Sequence, residues 1–273
     1  YTTHEAQTSL LVRDALTAEP LHQLLNTHLH SDHCGGNRIL QSVYPGIATL
    51  VPAGCFDAAR RWDESLLTFQ ATGQQCASFA VSAALRVGDT LSIGLRDWQI
   101  HAAPGHDPQA VLLFAPEDRI LISADALWES GFGVVFPELE GQHAFDEVGQ
   151  TLDLIESLDP VLIIPGHGRV FSDLRGALER ARSRLAAFIA DPHRHAFYAA
   201  KVLLKFKLLE AQEMPWLAVE NWARQTPYLG LIHDLHFRQT PFDGWVRILL
   251  DALKTSGAAR EIDGQIMNIE PLR

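Results

Sequence analysis

Thr27-His28-Leu29-His30-Ser31-Asp32-His33-Cys34-Gly35-Gly36 is the stretch on which the reading of this chain turns. Four side chains able to ligate a divalent metal, His28, His30, Asp32 and His33, fall within six residues. Imidazole nitrogen and carboxylate oxygen together suit borderline cations such as Zn²⁺. A lone histidine is more often a hydrogen-bonded core residue than a ligand. Ligand-type groups packed this tightly, however, would repel one another and resist desolvation without a cation among them. Residues 21–27 read as a short buried strand, so the cluster sits at a strand's C-terminal end. Side chains alternate along extended backbone, which puts His28 and His30 on one face where they can share a metal. Asp32 and His33 lie past a bend and can face a second metal, with Gly35 and Gly36 giving the backbone room to turn into a helix.

Outward from this stretch, residues 5–16 carry helical periodicity, and 54–62 and 64–72 look helical. Short alternating or apolar runs at 90–93, 97–103, 110–114 and 119–123 are punctuated by Gly94, Pro104-Gly105 and Pro116-Glu117-Asp118, and read as sheet strands. A helix over 144–158 leads into a strand at 161–164, then into Pro165-Gly166-His167-Gly168. Beyond Ser172 the strands stop: helices are expected over 173–190, 195–212, 217–225 and 244–256, and 260–269 forms a hairpin about the turn dipeptide Asp263-Gly264. Pro192 ends a helix at Asp191. This divides the chain into a domain that carries the ligand cluster, 1–191, and a small helical, winged-helix-like domain, 192–273.

Flanked as it is by Thr27, Gly35 and Gly36, the cluster resembles the T-H-x-H-x-D-H-x-G-G motif of the metallo-β-lactamase superfamily, in the form seen in the glyoxalase II group. The resemblance covers roughly residues 5–190 and implies an α+β, four-layer αβ/βα sandwich. It also implies three further ligands, each after a strand. The matching positions are His106 in Ala103-Pro-Gly-His-Asp-Pro108, Asp125 in Ser123-Ala-Asp-Ala126 and His167 in Ile164-Pro-Gly-His-Gly168. By that resemblance one metal takes His28, His30 and His106, and a second takes Asp32, His33 and His167. Asp125 bridges them together with a water or hydroxide, and Asp32 also orients the nucleophile. The cofactors are then two divalent ions, zinc first, with iron and manganese as alternatives. Two departures stand out. The opening β-hairpin ending in D-x-G has no counterpart ahead of Glu5, so the start reads as truncated. After His106 this chain has Asp107 and Gln109 where many relatives have a small hydroxyl residue and a glycine.

Other side chains read more plainly. Cys34 follows His33 and should point into packing, and His101 belongs to a strand. His193, His195, His233 and His236 read as surface or core residues. Trp128, Phe132 and Phe136, in a glycine-rich loop after Asp125, divide evenly between core and pocket wall. Lys201, Lys205 and Lys207, with Arg194, form a basic stretch best read as a solvated helix face, with an anion or RNA contact as the alternative.

Composition narrows the function classes. The 273 residues carry a net charge of −11, which repels phosphate backbones and anionic membranes. No apolar run approaches the roughly 20 residues of a spanning helix. Three cysteines without a C-x-x-C pair form no disulfide framework, and a cytoplasmic location is expected. The activity implied by the resemblance to the glyoxalase II form of the motif, and favoured by this charge, is hydrolysis of a small thioester, ester or lactone, with a homodimer as the candidate assembly. RNA phosphodiester cleavage is the alternative. A di-iron redox site is disfavoured because the resemblance would then require Glu at His30.

Overall fold

The computed structural model describes residues 5–16 and 20–269. Two sheets form its first part. The smaller joins β1 (Gln23–Leu25), β2 (Ala48–Pro52) and β3 (Ala83–Leu85) in parallel. The larger runs in the order β4 (Thr90–Ile93), β5 (Arg96–Ala102), β6 (Val111–Ala115), β7 (Ile120–Ala124) and β8 (Leu162–Pro165), antiparallel except for the last pair.

Burial shows how the layers stack. Along β6 every residue is buried, because its two faces serve different cores. Val111 and Leu113 pack toward the small sheet, with Leu50, Leu85, Ile100 and Trp98. Leu112 and Phe114 pack the other way. Their partners lie on α7 (Phe145–Leu158) and α8 (Leu174–Ala190), which contribute Val148, Leu152, Ile155, Leu178 and Leu185. The small sheet behaves alike: Leu50 faces the other sheet, whereas Val51 faces a helical layer. That layer contains α1 (Glu5–Asp14), α2 (Ser31–Cys34), α3 (Asn37–Val43), α4 (Phe56–Arg61) and α5 (Phe69–Thr72), and it supplies Cys34, Ala58, Ala59 and Phe69 to this core. This is the four-layer α+β arrangement expected. A short α6 (Phe136–Leu139) lies between β7 and α7.

The rest of the described chain is largely helical: α9 (Pro192–Ala211), α10 (Trp216–Gln225), α11 (Pro227–Ile232), a π-helical turn over His233–Phe237, and α12 (Phe242–Thr255). Strands β10 (Ala259–Ile262) and β11 (Gln265–Asn268) make the hairpin about Asp263-Gly264. Asp191 serves both long helices: its backbone N–H donates to Ala187, and its carboxylate accepts from the N–H groups of His193 and Arg194. The apolar face of α9 joins α12 in a core that also takes Val134, Phe136 and Leu139 from the loop after β7. Among the described residues no helix is long and apolar enough to cross a membrane.

Several expectations need correction. Strands do not stop at Ser172, since β9 (Glu213–Pro215) pairs with β11. It follows Gln212, whose positive φ of 61° turns the chain out of α9 without a glycine to announce it. Strands β2 and β3 had no sequence signal: β2 is almost wholly buried, so its residues do not alternate. The helix expected over 64–72 contracts to α5. Asp63 accepts from the N–H and hydroxyl of Ser65, a local turn that competes with helix, and Thr68 adopts a left-handed φ of 63°. The truncated-hairpin expectation concerns positions ahead of Glu5, which lie outside the described residues.

Candidate metal centre

Each element end delivers one part of the cluster. Extended backbone after β1 carries His28 and His30 to one side, their rings 4.7 Å apart, while Leu29 between them enters the core beneath. His30, at φ −73° and ψ 148°, starts α2, whose first turn holds Asp32 and then His33. A buried amide pair secures this turn: Asn37 on α3 donates to Asn26 Oδ1, and Asn26 donates to the Leu50 carbonyl. His106 follows β5, and His167 follows β8 through Gly166. Asp125 follows β7, where a register irregularity between Ile122 and Ala124 and a φ of 47° at Ala124 redirect the chain. A non-glycine residue held there is strained, as is common where a strand end aims a functional side chain.

All seven side chains converge. Ligand atoms of His28, His30 and His106 lie within 4.8 Å of one another, as do those of Asp32, His33 and His167 and those of His28, His33 and Asp125. One oxygen, Asp125 Oδ2, lies 3.3 Å from both His106 Nε2 and His33 Nε2, 3.6 Å from His167 Nε2 and 4.0 Å from His28 Nε2. Trp128 Nε1 donates to the other oxygen, Oδ1, at 3.2 Å. His106 Nδ1 lies 2.5 Å from the Val134 carbonyl, which makes that nitrogen the donor and leaves Nε2 toward the cluster. His28 Nδ1 similarly meets the Thr27 hydroxyl at 3.2 Å.

The donor set fits divalent metal. Buried Nε2 atoms of His28, His33 and His167 have no aligned hydrogen-bond partner, although carboxylate oxygens stand nearby. Buried polar atoms are rarely left so unless something else satisfies them. Electrostatics agrees. Burial, with neighbouring imidazoles, holds His30 and His106 down at about 4 and His28 well below its ordinary value, so these rings present neutral lone pairs. Burial alone would raise the carboxyl groups, but His33 and His167 hold Asp32 at about 2 and Asp125 well below its usual range. Burial lowers His167 too, yet the two carboxylates outweigh it and carry the ring up to about 10.

Two glycines allow this packing. A Cβ at Gly133 would stand 2.5 Å from His106 Nδ1, and one at Gly166 would stand 2.2 Å from Asp125 Oδ1.

Above the cluster lies a cavity of about 200 Å³, floored by His30, Asp32, His106, Asp125 and His167. Trp128 and Val134 form one wall, and Tyr198, Val202, Lys205 and Phe206 of α9 form another. None of those four α9 residues was expected at the site. Their only sequence signal was helical spacing, which says nothing about which neighbour a helix covers. Lys205 is not on a solvated face: its ammonium donates to the Ala258 and Ile269 carbonyls and to Asn268 Oδ1, stitching α9 to the hairpin. Trp128 proves to be wall, Phe132 is core, and Phe136 packs beside the His30 and His106 rings. Asp107, which stood as a departure from the motif, places Oδ2 3.7 Å from His30 Nε2 and accepts from the Gln109 N–H. Cys34 is buried away from the cavity, its sulfur 3.7 Å from that of Cys76. His101 stays on β5 beside Gln99, His193 packs on His236, and His233 packs on Trp245.

A family model described as the metallo-beta-lactamase superfamily matches residues 2–167. The acyl-coenzyme A thioesterase MBLAC2 of Bos taurus is 27% identical over 210 residues, 72% of either chain. A hydroxyacylglutathione hydrolase of Maricaulis maris is 26% identical over 182 residues, 66% of this chain and 58% of its own length. Among solved structures, a beta-lactamase domain protein from Burkholderia ambifaria superposes with a TM-score of 0.56 at 20% identity, covering 98% of this chain and 80% of that one. BLEG-1 B3 metallo-beta-lactamase gives 0.51 at 21% identity, over 64% and 81%. At these identities the structural likenesses speak to fold alone.

Proposed function

This chain belongs to the metallo-β-lactamase superfamily, a superfamily of hydrolases, and from that premise we propose that it hydrolyses the thioester bond of a small acyl substrate. The observation that carries the reading is the convergence of five imidazoles and two carboxylates, all ligand-type groups, beneath a small, largely apolar cavity. Support for the thioester comes from the two curated relatives, whose names describe thioesters of different thiols.

His28, His30 and His106 would hold one divalent ion and Asp32, His33 and His167 another, with Asp125 between them; zinc is the first candidate. Such ions, when bound, polarise the scissile carbonyl and make a water acidic enough to attack near neutrality. The protein's own groups do the remaining work. Trp128 fixes Asp125 Oδ1, so that Oδ2 stays aimed at the imidazoles. Asp32, ionised and on the cavity floor, accepts a hydrogen bond from the attacking water and so orients it. Trp128, Val134, Val202 and Phe206 exclude bulk water from the acyl group, which strengthens every electrostatic contact inside. A cytoplasmic setting and a small-molecule partner belong to the same reading.

The test is metal analysis of the purified protein together with a screen of thioesters, lactones, phosphodiesters and β-lactams. Thioester turnover that tracks metal content is expected. Asp125→Ala should lower that turnover by on the order of a thousandfold, about 4 kcal/mol in barrier, with the circular dichroism spectrum unchanged. Preference for a phosphodiester, or a variant within a few fold of wild type, would overturn the reading.

A further inference from the structure

We infer that the groove between α8 and α9 binds the phosphate-bearing tail of the substrate's thiol leaving group, so that the natural thiol is nucleotide-linked. The inference rests on the thioester reading above and adds the site that selects among thiols.

The groove is a cavity of about 790 Å³. Arg180 and Arg184 line it from α8, and Arg194 and Lys201 line it from α9, against the carboxylate of Glu179. This is a concentration of positive charge on a protein whose net charge is −11. Two of the cations are held in place. Arg180 donates to the Glu129 carbonyl and stands 3.5 Å from an Asp173 carboxylate oxygen; Arg184 donates to the Phe132 carbonyl and lies over the rings of Phe132 and Tyr198. The other two, Arg194 and Lys201, form no ion pair among the described residues, and Lys201 lies over the Phe197 ring. Fixed guanidinium forks beside uncommitted cations suit phosphate oxygens, which can take paired, charge-assisted hydrogen bonds.

Position connects this groove to the chemistry. Tyr198 lines both the groove and the cavity over the donor cluster. Ser130 of the groove and Trp128 of the cavity come from the same loop. At about 200 Å³ the inner cavity takes an acyl group and the reacting carbonyl, not a whole nucleotide-linked thioester. The remainder of such a substrate would pass Tyr198, the side chain that lines both the cavity and the groove. A glutathione tail, with two carboxylates and an ammonium, offers less negative charge to four cations than a tail bearing several phosphates.

The experiment compares acetyl-CoA, S-acetylpantetheine and an acylglutathione as substrates of the metal-loaded protein and of Arg194→Gln/Lys201→Gln. Calorimetric titration with coenzyme A and with a short single-stranded RNA runs beside it. The double substitution should raise KM for acetyl-CoA about tenfold at low salt and leave kcat and S-acetylpantetheine turnover unchanged, and added salt should narrow the difference. Arg194→Lys should behave as wild type. Equal effects on both acetyl thioesters, sensitivity confined to the acylglutathione, or RNA binding tighter than coenzyme A at these residues would each overturn the groove assignment while leaving thioester hydrolysis intact. Binding of coenzyme A that the substitution weakens, in a protein that hydrolyses none of the thioesters, would support the groove and sink the thioesterase reading.

Discussion

Gly133 has no side chain because His106 occupies the place where one would be. Its missing Cβ would lie within 2.9 Å of three atoms of that imidazole, which is itself held by the Val134 carbonyl, so neither partner can give way cheaply. Gly133→Ala should displace His106, cost about 1–3 kcal/mol of stability and lower metal affinity about 10- to 100-fold. Equilibrium dialysis against the metal checks this, and wild-type affinity would show that the ring can shift freely. Gly133 could not be picked out in the sequence, because its constraint comes from a residue 27 positions earlier. The seven donors were legible for the opposite reason. His28 to His33 are marked by local spacing, whereas His106, Asp125 and His167 were picked out through the resemblance to the superfamily motif, which expects a ligand just beyond each of three strands. Asp107 was visible only as an oddity, and its place beside His30 had to come from the fold.

At the scale of elements, α9 connects the covering region to the centre, and His195 is one of its fastenings. Its ring is buried against Phe145 and Phe188, and its Nε2 accepts from the Val135 N–H, steadying the loop that carries Gly133 and Val134. Burial, with His236 adding to it, holds His195 down at about 4. The folded protein thus keeps the ring neutral where the unfolded chain, with an ordinary value of about 6.5, binds a proton. The stability this contributes is complete above about pH 6.5 and is lost as the pH falls from there toward 4. His195→Gln keeps an acceptor for Val135 and removes the titration. Urea unfolding of both proteins at about pH 7.5 and about pH 5 should show wild type losing more stability than the variant on acidification. A gap that does not change with pH would mean that the ring does not titrate on unfolding. Helix α9 itself was legible from its apolar spacing and from Pro192. What it covers was legible only coarsely: amphipathic helices after Pro192 need a partner, which points to packing against the metal-bearing domain and narrowing access to it, but periodicity does not say which α9 side chains reach the cavity.

In the whole molecule the donors come from both halves of the sandwich: His28, His30, Asp32 and His33 follow the small sheet, while His106, Asp125 and His167 follow the large one. An ion held by both sets ties the sheets together and binds only the folded form. Metal at about 100 times its dissociation constant should therefore add roughly 2.7 kcal/mol of stability. Calorimetric melting should show a midpoint that rises with zinc concentration and falls to a floor after exhaustive chelation. A midpoint indifferent to chelation, in protein shown to bind zinc, would contradict this coupling. The order of the same parts along the chain has a consequence for biosynthesis. His167 completes the donor set, and the helix whose side chains cover the cavity begins only at Pro192. Protein synthesis runs from the N-terminus and domains fold as they emerge, so a ribosome delivers every donor before it delivers the roof. Metal ions that the cluster would hold could then reach the nascent centre before the α9 side chains that wall the cavity are in place.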